Sequence, residues 1–300
     1  MPNPPDAVFF LPQSRGVIAV EGPDSREFLQ GLISNDVRRV TEEQAIYAAL
    51  LTPQGRYLHD FFVAALGDSL LLDCEAVRRD DLKRRLSIYR LRSKVTLADA
   101  TDRLAVALVF GGNALERLGL PAEPGRARRL GDGLVYVDPR LPGLGARALL
   151  PHDAAADLLS KAGLAPGDQD QYDRLRLGLG VPDGSRDLPI EKAILLENGF
   201  DELHGVDWQK GCYIGQELTA RTKYRGLVRK RLLPVEIEGP APEPGTKLML
   251  GDQEVGEMRS AVDGLGLAMI RLEHFEKASA DGATAGAARV KPRRPDWASF

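Results

Sequence analysis

The 300-residue chain is poor in cysteine and histidine: Cys74 and Cys212 are its two thiols, and His59, His152, His204 and His274 its four imidazoles. A protein-held iron–sulfur cluster takes about four ligands, mostly thiolates, and a structural zinc takes four. No metal-ligand spacing is present, so no resident metal centre is expected. Long apolar runs are also missing. Nothing approaches the roughly 18 apolar residues of a membrane span, and no early segment pairs a basic start with an apolar stretch. Two distant cysteines and no secretory leader predict a reducing, cytoplasmic setting without a disulfide. A net charge of −3 gives no general attraction to nucleic acid.

What is present is enough to bury a core: 43% of residues are hydrophobic and 28% charged, which suits two or three compact units. Asp24 and Glu27 stand at capping-box separation before Phe28, Leu29, Leu32 and Ile33, predicting a helix over 24–34 that ends at Asn35-Asp36. Strands are expected at 45–51 and 57–66, joined by the turn Thr52-Pro53-Gln54-Gly55. An amphipathic helix follows over 76–91, with Val77, Leu82, Leu86 and Tyr89 as its inner face, then a strand over 103–110. Residues 121–133 are expected as a loop, and 152–162 and 170–179 as helices. After Arg229, short strands at 230–237, 247–250, 254–260 and 265–270, spaced by Gly-Pro turns, suggest a small β-barrel. Residues 278–287 have the composition of an exposed loop before a last strand. The expected division is 1–228 and 229–300.

The densest chemical signal is Lys210-Gly211-Cys212-Tyr213-Ile214-Gly215-Gln216-Glu217. It sets a thiol beside a cation and just before a helical run, Glu217 to Arg221, the setting that stabilises thiolate. Cys212 is therefore the candidate nucleophile, with Lys210 as its activator. Cys74, closing the apolar run Leu70-Leu71-Leu72-Asp73-Cys74, is expected in the core.

This octapeptide resembles the signature of the YgfZ family, folate-binding relatives of the glycine-cleavage T-protein that support iron–sulfur enzymes. Phe28 to Val37 is similar to that family's helix-to-loop opening, and Leu51 to Arg56 with His59-Asp60 to its first hairpin. The resemblance implies an α+β T-protein-like folate-binding region with an inserted ferredoxin-like layer and a C-terminal β-barrel. It also implies tetrahydrofolate, or a one-carbon derivative, as cofactor. Asn35, Asp36, Gln54, Glu197, Tyr213, Gln216, Glu217 and Arg221 are the candidate binding residues, and Asp60 joins Cys212 and Lys210 as a candidate for chemistry. Two positions depart from the T-protein pattern. Gly178, in Arg176-Leu177-Gly178, stands where the pterin-gripping glutamate would be, with Glu197 as a substitute, and His59-Asp60 replaces an acidic pair. His59 titrates near neutrality in its free state.

Arg221, Lys223, Arg225, Arg229, Lys230 and Arg231 place six cations in eleven residues without an acid. They are suited to the glutamyl tail of a polyglutamylated folate, or to salt bridges with acids elsewhere. RNA is disfavoured because aromatic interleaving is limited to Tyr224. The reading is a tetrahydrofolate-binding accessory protein whose partners are iron–sulfur proteins or assembly factors. A folate-dependent aminomethyl or one-carbon transferase is the alternative.

Overall fold

The computed structural model describes residues 7–226 and 228–300. The chain forms two compact units, the first from Met1–Leu51, Leu58–Gln169 and Leu203–Ile214, the second from Thr52–Tyr57, Asp170–Glu202 and Gly215–Phe300.

In chain order the first unit begins with β1 (Val8–Phe10), β2 (Arg15–Glu21) and α1 (Ser25–Gln30), followed by β3 (Ile46–Leu51), β4 (Tyr57–Leu66) and β5 (Ser69–Glu75). After α2 (Arg79–Ile88) come β6 (Thr96–Asp99), β7 (Leu104–Phe110), α3 (Ala114–Arg117), β8 (Ala127–Leu130), β9 (Gly133–Val137), β10 (Ala146–Pro151), α4 (Ala155–Lys161) and β11 (Ala165–Pro166). These strands make a five-stranded sheet in the order β3-β4-β5-β2-β6 and a six-stranded sheet in the order β11-β1-β7-β10-β9-β8. Strand alternation sorts the side chains. Phe61, Val63 and Ala65 of β4, with Leu70 and Leu72 of β5, join Leu29, Leu82 and Leu86 of α1 and α2 in one core. Val135, Val137, Ala148 and Leu150 join Leu159 of α4 in another.

The opposite faces of the two sheets meet through charge. Asp73 accepts from Arg15 at 2.7 Å and from Arg147 at 2.6 and 2.8 Å, while Arg140 holds Asp138 at 2.8 Å. Arg147 also lies 3.9 Å from the Phe62 ring centre. Burial alone would raise the Asp138 carboxyl, but the guanidinium groups of Arg140 and Arg147 hold it below the usual range. Such a network is costly to desolvate and costly to break, so it fixes which faces meet more than it adds stability.

The second unit holds the hairpin turn 52–57, α5 (Gln169–Leu179), α6 (Gly184–Asp187), α7 (Gln216–Tyr224) and a closed barrel. The barrel comprises β12 (Lys230–Glu238), β13 (Lys247–Leu250), β14 (Gln253–Val262), β15 (Leu265–Arg271), then α8 (Phe275–Asp281), β16 (Ala283–Ala285) and β17 (Ala288–Pro292). Its strand order is β12-β15-β14-β13-β16-β17. Buried Arg176 of α5 donates to Asp173 at 2.5 Å and to Asp187 at 2.8 Å, and Asp187 accepts from Ser260 of β14 at 2.5 Å, which joins the helices to the barrel.

Three local expectations are corrected. The helix expected over 76–91 is shorter: Ala76–Arg78 is a 3-10 turn, Val77 is 90% exposed, and only Leu82 and Leu86 of the expected inner face are buried. The loop expected over 121–133 contains β8, paired with β9. The exposed loop expected over 278–287 is instead the end of α8 and β16, with Ala278, Ala283 and Ala285 buried inside the barrel cluster or against it.

Candidate functional site

The loop carrying Cys212 is an arch fastened at both feet to the end of α1, all within the first unit. Lys210 is 4% exposed and its Nζ donates to the carbonyls of Gln30 and Ile33, each at 2.6 Å. These carbonyls lie at and just beyond the C-terminus of α1, where acceptors are left over and a cation is favoured. The Gln30 side chain answers: its Nε2 donates to the Lys210 carbonyl at 3.1 Å, and its Oε1 accepts the Val37 N–H at 2.9 Å. Arg38 reaches the same carbonyl at 3.3 Å. At the other foot, the Ile214 N–H donates to the Gly31 carbonyl at 3.2 Å, and Ile214 packs against the core. Tyr213 is buried, its ring centre 5.0 Å from the Lys210 ammonium.

Between the feet the backbone turns outward. Gly211 has φ +90, a conformation that side-chain-bearing residues rarely adopt, and Cys212 at the crest is exposed. Cys74 is the contrast. It is 2% exposed, its sulfur 3.6 Å from the Gly16 carbonyl oxygen, and burial pushes its thiol up to about 12. Lys210, expected as activator of the thiol, gives two of its three ammonium N–H bonds to backbone oxygens. Burial also lowers the ammonium to about 8, against the opposing pull of Asp36 and Asp207.

The other candidates fall into separate settings. Asn35 donates to the carbonyls of Tyr47 at 2.7 Å and His204 at 2.8 Å, and accepts from the Asp36 N–H at 2.8 Å. Asp36 begins a 3-10 turn and is held low by its hydrogen bonds from Arg38. Asp60 is buried and accepts the Tyr47 hydroxyl at 2.9 Å. Asn35, Tyr47 and His204 border a cavity of about 210 Å³, below the several hundred Å³ usual for a drug-sized ligand. His59 is not the near-neutral proton carrier expected from its type. Burial and the nearby Arg78 lower it to about 4, while its Nε2 lies 2.9 Å from Asp81.

In the second unit, Gln54 is exposed at the turn, and Gly55 lies so close to α7 that an added Cβ would sit 2.5 Å from Leu218 Cβ. Gln216 opens α7, and exposed Glu217 pairs with Arg221 at 3.8 Å. Glu197 is buried, which raises its carboxyl, although Lys230 stands 3.6 Å away. It lines a cavity of about 760 Å³ with Arg229, Lys230, Arg259 and Arg271. Of the six cations between Arg221 and Arg231, Lys223 also meets Asp201 and Arg231 meets Glu202. The salt-bridge explanation therefore accounts for four of the six. Sequence reasoning missed Gln30, Arg38 and Tyr47 as supports. Gln30 sits in the segment already singled out, but nothing in its pattern marks the Lys210 carbonyl as its target.

The fold and the two ends of the chain define a class. Residues 12–120 match the GCVT N-terminal domain, and residues 229–300 match the CAF17 C-terminal β-barrel domain. Glycine cleavage system aminomethyltransferase T from Bartonella henselae superposes with a TM-score of 0.78 over 98% of this chain and 86% of that one, at 16% identity. This is an aminomethyltransferase-like α+β fold closed by a C-terminal barrel.

The chain belongs, within that class, to the IBA57 family of iron–sulfur cluster assembly factors. It is 35% identical to mitochondrial IBA57 of Mus musculus, over 90% of this chain and 80% of that protein, and 34% identical to that of Homo sapiens, over 96% and 84%. The Neurospora crassa homologue is 36% identical over 77% of this chain, which spans about half of that longer protein (54%). Two expectations are thereby corrected. YgfZ is a related but different family. The cytoplasmic assignment is overturned, since these relatives are named as mitochondrial; scarce cysteine by itself names no compartment.

Proposed function

We propose that the chain serves iron–sulfur cluster assembly by presenting the Cys212 thiol to cluster-bearing or cluster-assembling proteins, with a reduced folate as its small-molecule ligand. The observation that carries this reading is the pair of thiols: one raised on a fastened arch in solvent, the other sealed in the core. A thiolate is both nucleophile and metal ligand, and one exposed cysteine suits contact with a cluster that another protein completes. For folate, the 760 Å³ cavity supports the reading through its size and chemistry. Glu197 offers a carboxylate for the aminopyrimidine edge, and Arg229 and Arg271 of the same cavity, unlike its ion-pair partner Lys230, offer charge for the glutamyl tail. The transferase alternative has less support, because His59 is neutral and tied to Asp81 while the Asp60 carboxylate receives Tyr47.

Calorimetric titration tests the folate half. Tetrahydrofolate should give saturable heat with the wild type and bind about tenfold or more weakly to Glu197→Gln, a loss of about 1.4 kcal/mol. The polyglutamylated form should gain affinity that shrinks with salt. No saturable heat at millimolar ligand removes folate from the reading. For the thiol half, alkylation at neutral pH should label Cys212 at least about a hundredfold faster than Cys74, since burial both shields Cys74 and disfavours its thiolate. Cys212→Ser should abolish support of iron–sulfur enzymes in cells while leaving unfolding unchanged. Full support by that variant would make the arch a structural turn.

A further inference from the structure

The first unit carries a second exposed feature unrelated to the thiol arch, at the end of α2. Residues 88–92, Ile88-Tyr89-Arg90-Leu91-Arg92, are all exposed, with Ile88 at 60%, Tyr89 at 37% and Leu91 at 89%. The apolar face of α2 is already used, since Leu82 and Leu86 are fully buried. The exposed aliphatics are therefore surplus to its packing. Leu91 also has φ +41, a left-handed conformation that costs a non-glycine residue on the order of 1 kcal/mol. Exposure and strain at one leucine are both disfavoured in the free protein, and neither serves its core.

The tip is held in shape. The Ser93 N–H donates to the Arg90 carbonyl at 2.7 Å, and the Lys94 N–H donates to the Asp24 carboxylate at 2.7 Å. Around it the charge is one-sided: Arg78, Arg79, Lys83, Arg84, Arg85, Arg90, Arg92 and Lys94 against Asp80 and Asp81 in the same stretch. The two acids are engaged by Arg79, Arg84 and Arg85. That leaves the tip's own Arg90 and Arg92 beside the apolar side chains, with Asp24 sharing a surface recess with Leu91 and Arg92.

We propose that this tip is a docking surface for a partner protein segment that presents an apolar side chain flanked by carboxylates, with Leu91 as the apolar contact and Arg90 and Arg92 as the charged rim. Charge complementarity selects the carboxylates, because a chain of net charge −3 concentrates a six-charge excess of cations in this stretch. The apolar component selects protein over the other polyanions. Single-stranded nucleic acid is held by aromatic platforms, and the tip has one tyrosine among branched aliphatics. A membrane-surface helix needs a broad free apolar face, and that of α2 is buried in its own core. Tyrosine and arginine are enriched at the centres of protein interfaces, and Tyr89, Arg90 and Arg92 flank Leu91 here. The surface is independent of folate and of the thiol.

The test uses the full chain. Random peptides displayed on phage are selected on wild-type protein, and synthetic peptides of the enriched sequence are titrated by fluorescence polarisation. Enrichment of an apolar residue flanked by Asp and Glu is expected, with affinity falling about tenfold or more in Leu91→Asp and in Arg90→Glu/Arg92→Glu, and falling with salt in the wild type. Leu91→Gly separates docking from folding: removing strain and an exposed side chain should raise the thermal midpoint while lowering peptide affinity. Equal binding to wild type and Leu91→Asp, or no acidic enrichment, overturns the proposal. So does tip-dependent binding of phosphatidylserine vesicles or single-stranded RNA without peptide binding. None of these outcomes depends on the reactivity of Cys212, so failure here leaves the thiol and folate tests standing.

Discussion

Lys210 shows how a residue beside a reactive group can matter through the backbone. Its ammonium sits where α1 leaves carbonyls unpaired and donates to two of them at 2.6 Å. A hydrogen bond to a charged group contributes about 1.5–3 kcal/mol, and orphaning a buried acceptor costs about 1–3 kcal/mol. Lys210→Met, which keeps an apolar stem near Tyr213 but removes the donors, should therefore destabilise by about 2 kcal/mol in denaturant melts. It should also speed hydrogen exchange at the Ile214 N–H, the other foot of the arch. Slowed alkylation of Cys212 with unchanged stability would instead return Lys210 to a thiolate-tuning role. The octapeptide made the cysteine and the glycine turn legible. The clamp was not legible, because its acceptors are backbone oxygens about 180 positions away and such oxygens carry no residue signature.

At the scale of elements, Gly55 joins the hairpin turn to α7. Its φ is +83, and an added Cβ would lie 2.5 Å from Leu218 Cβ and 2.7 Å from the Gly215 carbonyl oxygen. Gly55→Ala should cost about 2 kcal/mol or more, combining left-handed strain with overpacking, read as a lowered denaturant midpoint. An unchanged midpoint would mean that turn and helix separate freely. Periodicity recovered elements whose own side chains make the contact, such as β4 and β13. It failed where the neighbour decides. Arg128 and Arg129 make β8 polar although β9 pairs with it. The barrel segment at 283–288 uses Ala283, Ala285 and Ala288 to fill narrow interior space, so small residues that pattern as loop are core. Val77 and Tyr89 match a helical stripe, yet the layer they would cover ends at Leu82 and Leu86.

The molecule as a whole should register His59 in its acid stability. Burial holds this imidazole at about 4 in the folded chain, against about 6.5 for an exposed histidine. Above pH 6.5 it is neutral in both states and contributes no pH dependence. Below 6.5 the unfolded chain takes up a proton that the folded chain refuses until about pH 4, so stability falls with falling pH through this window and then levels. The difference amounts to about 3 kcal/mol, large beside a total of about 5–15 kcal/mol for a native protein. Asp81, which pairs with His59, acts in a different range: its carboxyl is held low by Arg85, Arg84 and His59 despite burial, so its contribution is retained above the ordinary aspartate value of about 3.8 and lost below it. Denaturant melts of the wild type between pH 7 and pH 4 should therefore lose about 3 kcal/mol more than those of His59→Gln, which carries no proton to bind. The curves of the two proteins should converge in slope above pH 6.5. Parallel curves across the whole range would mean that water reaches the imidazole and that burial and Arg78 do not keep it neutral against the pull of Asp81.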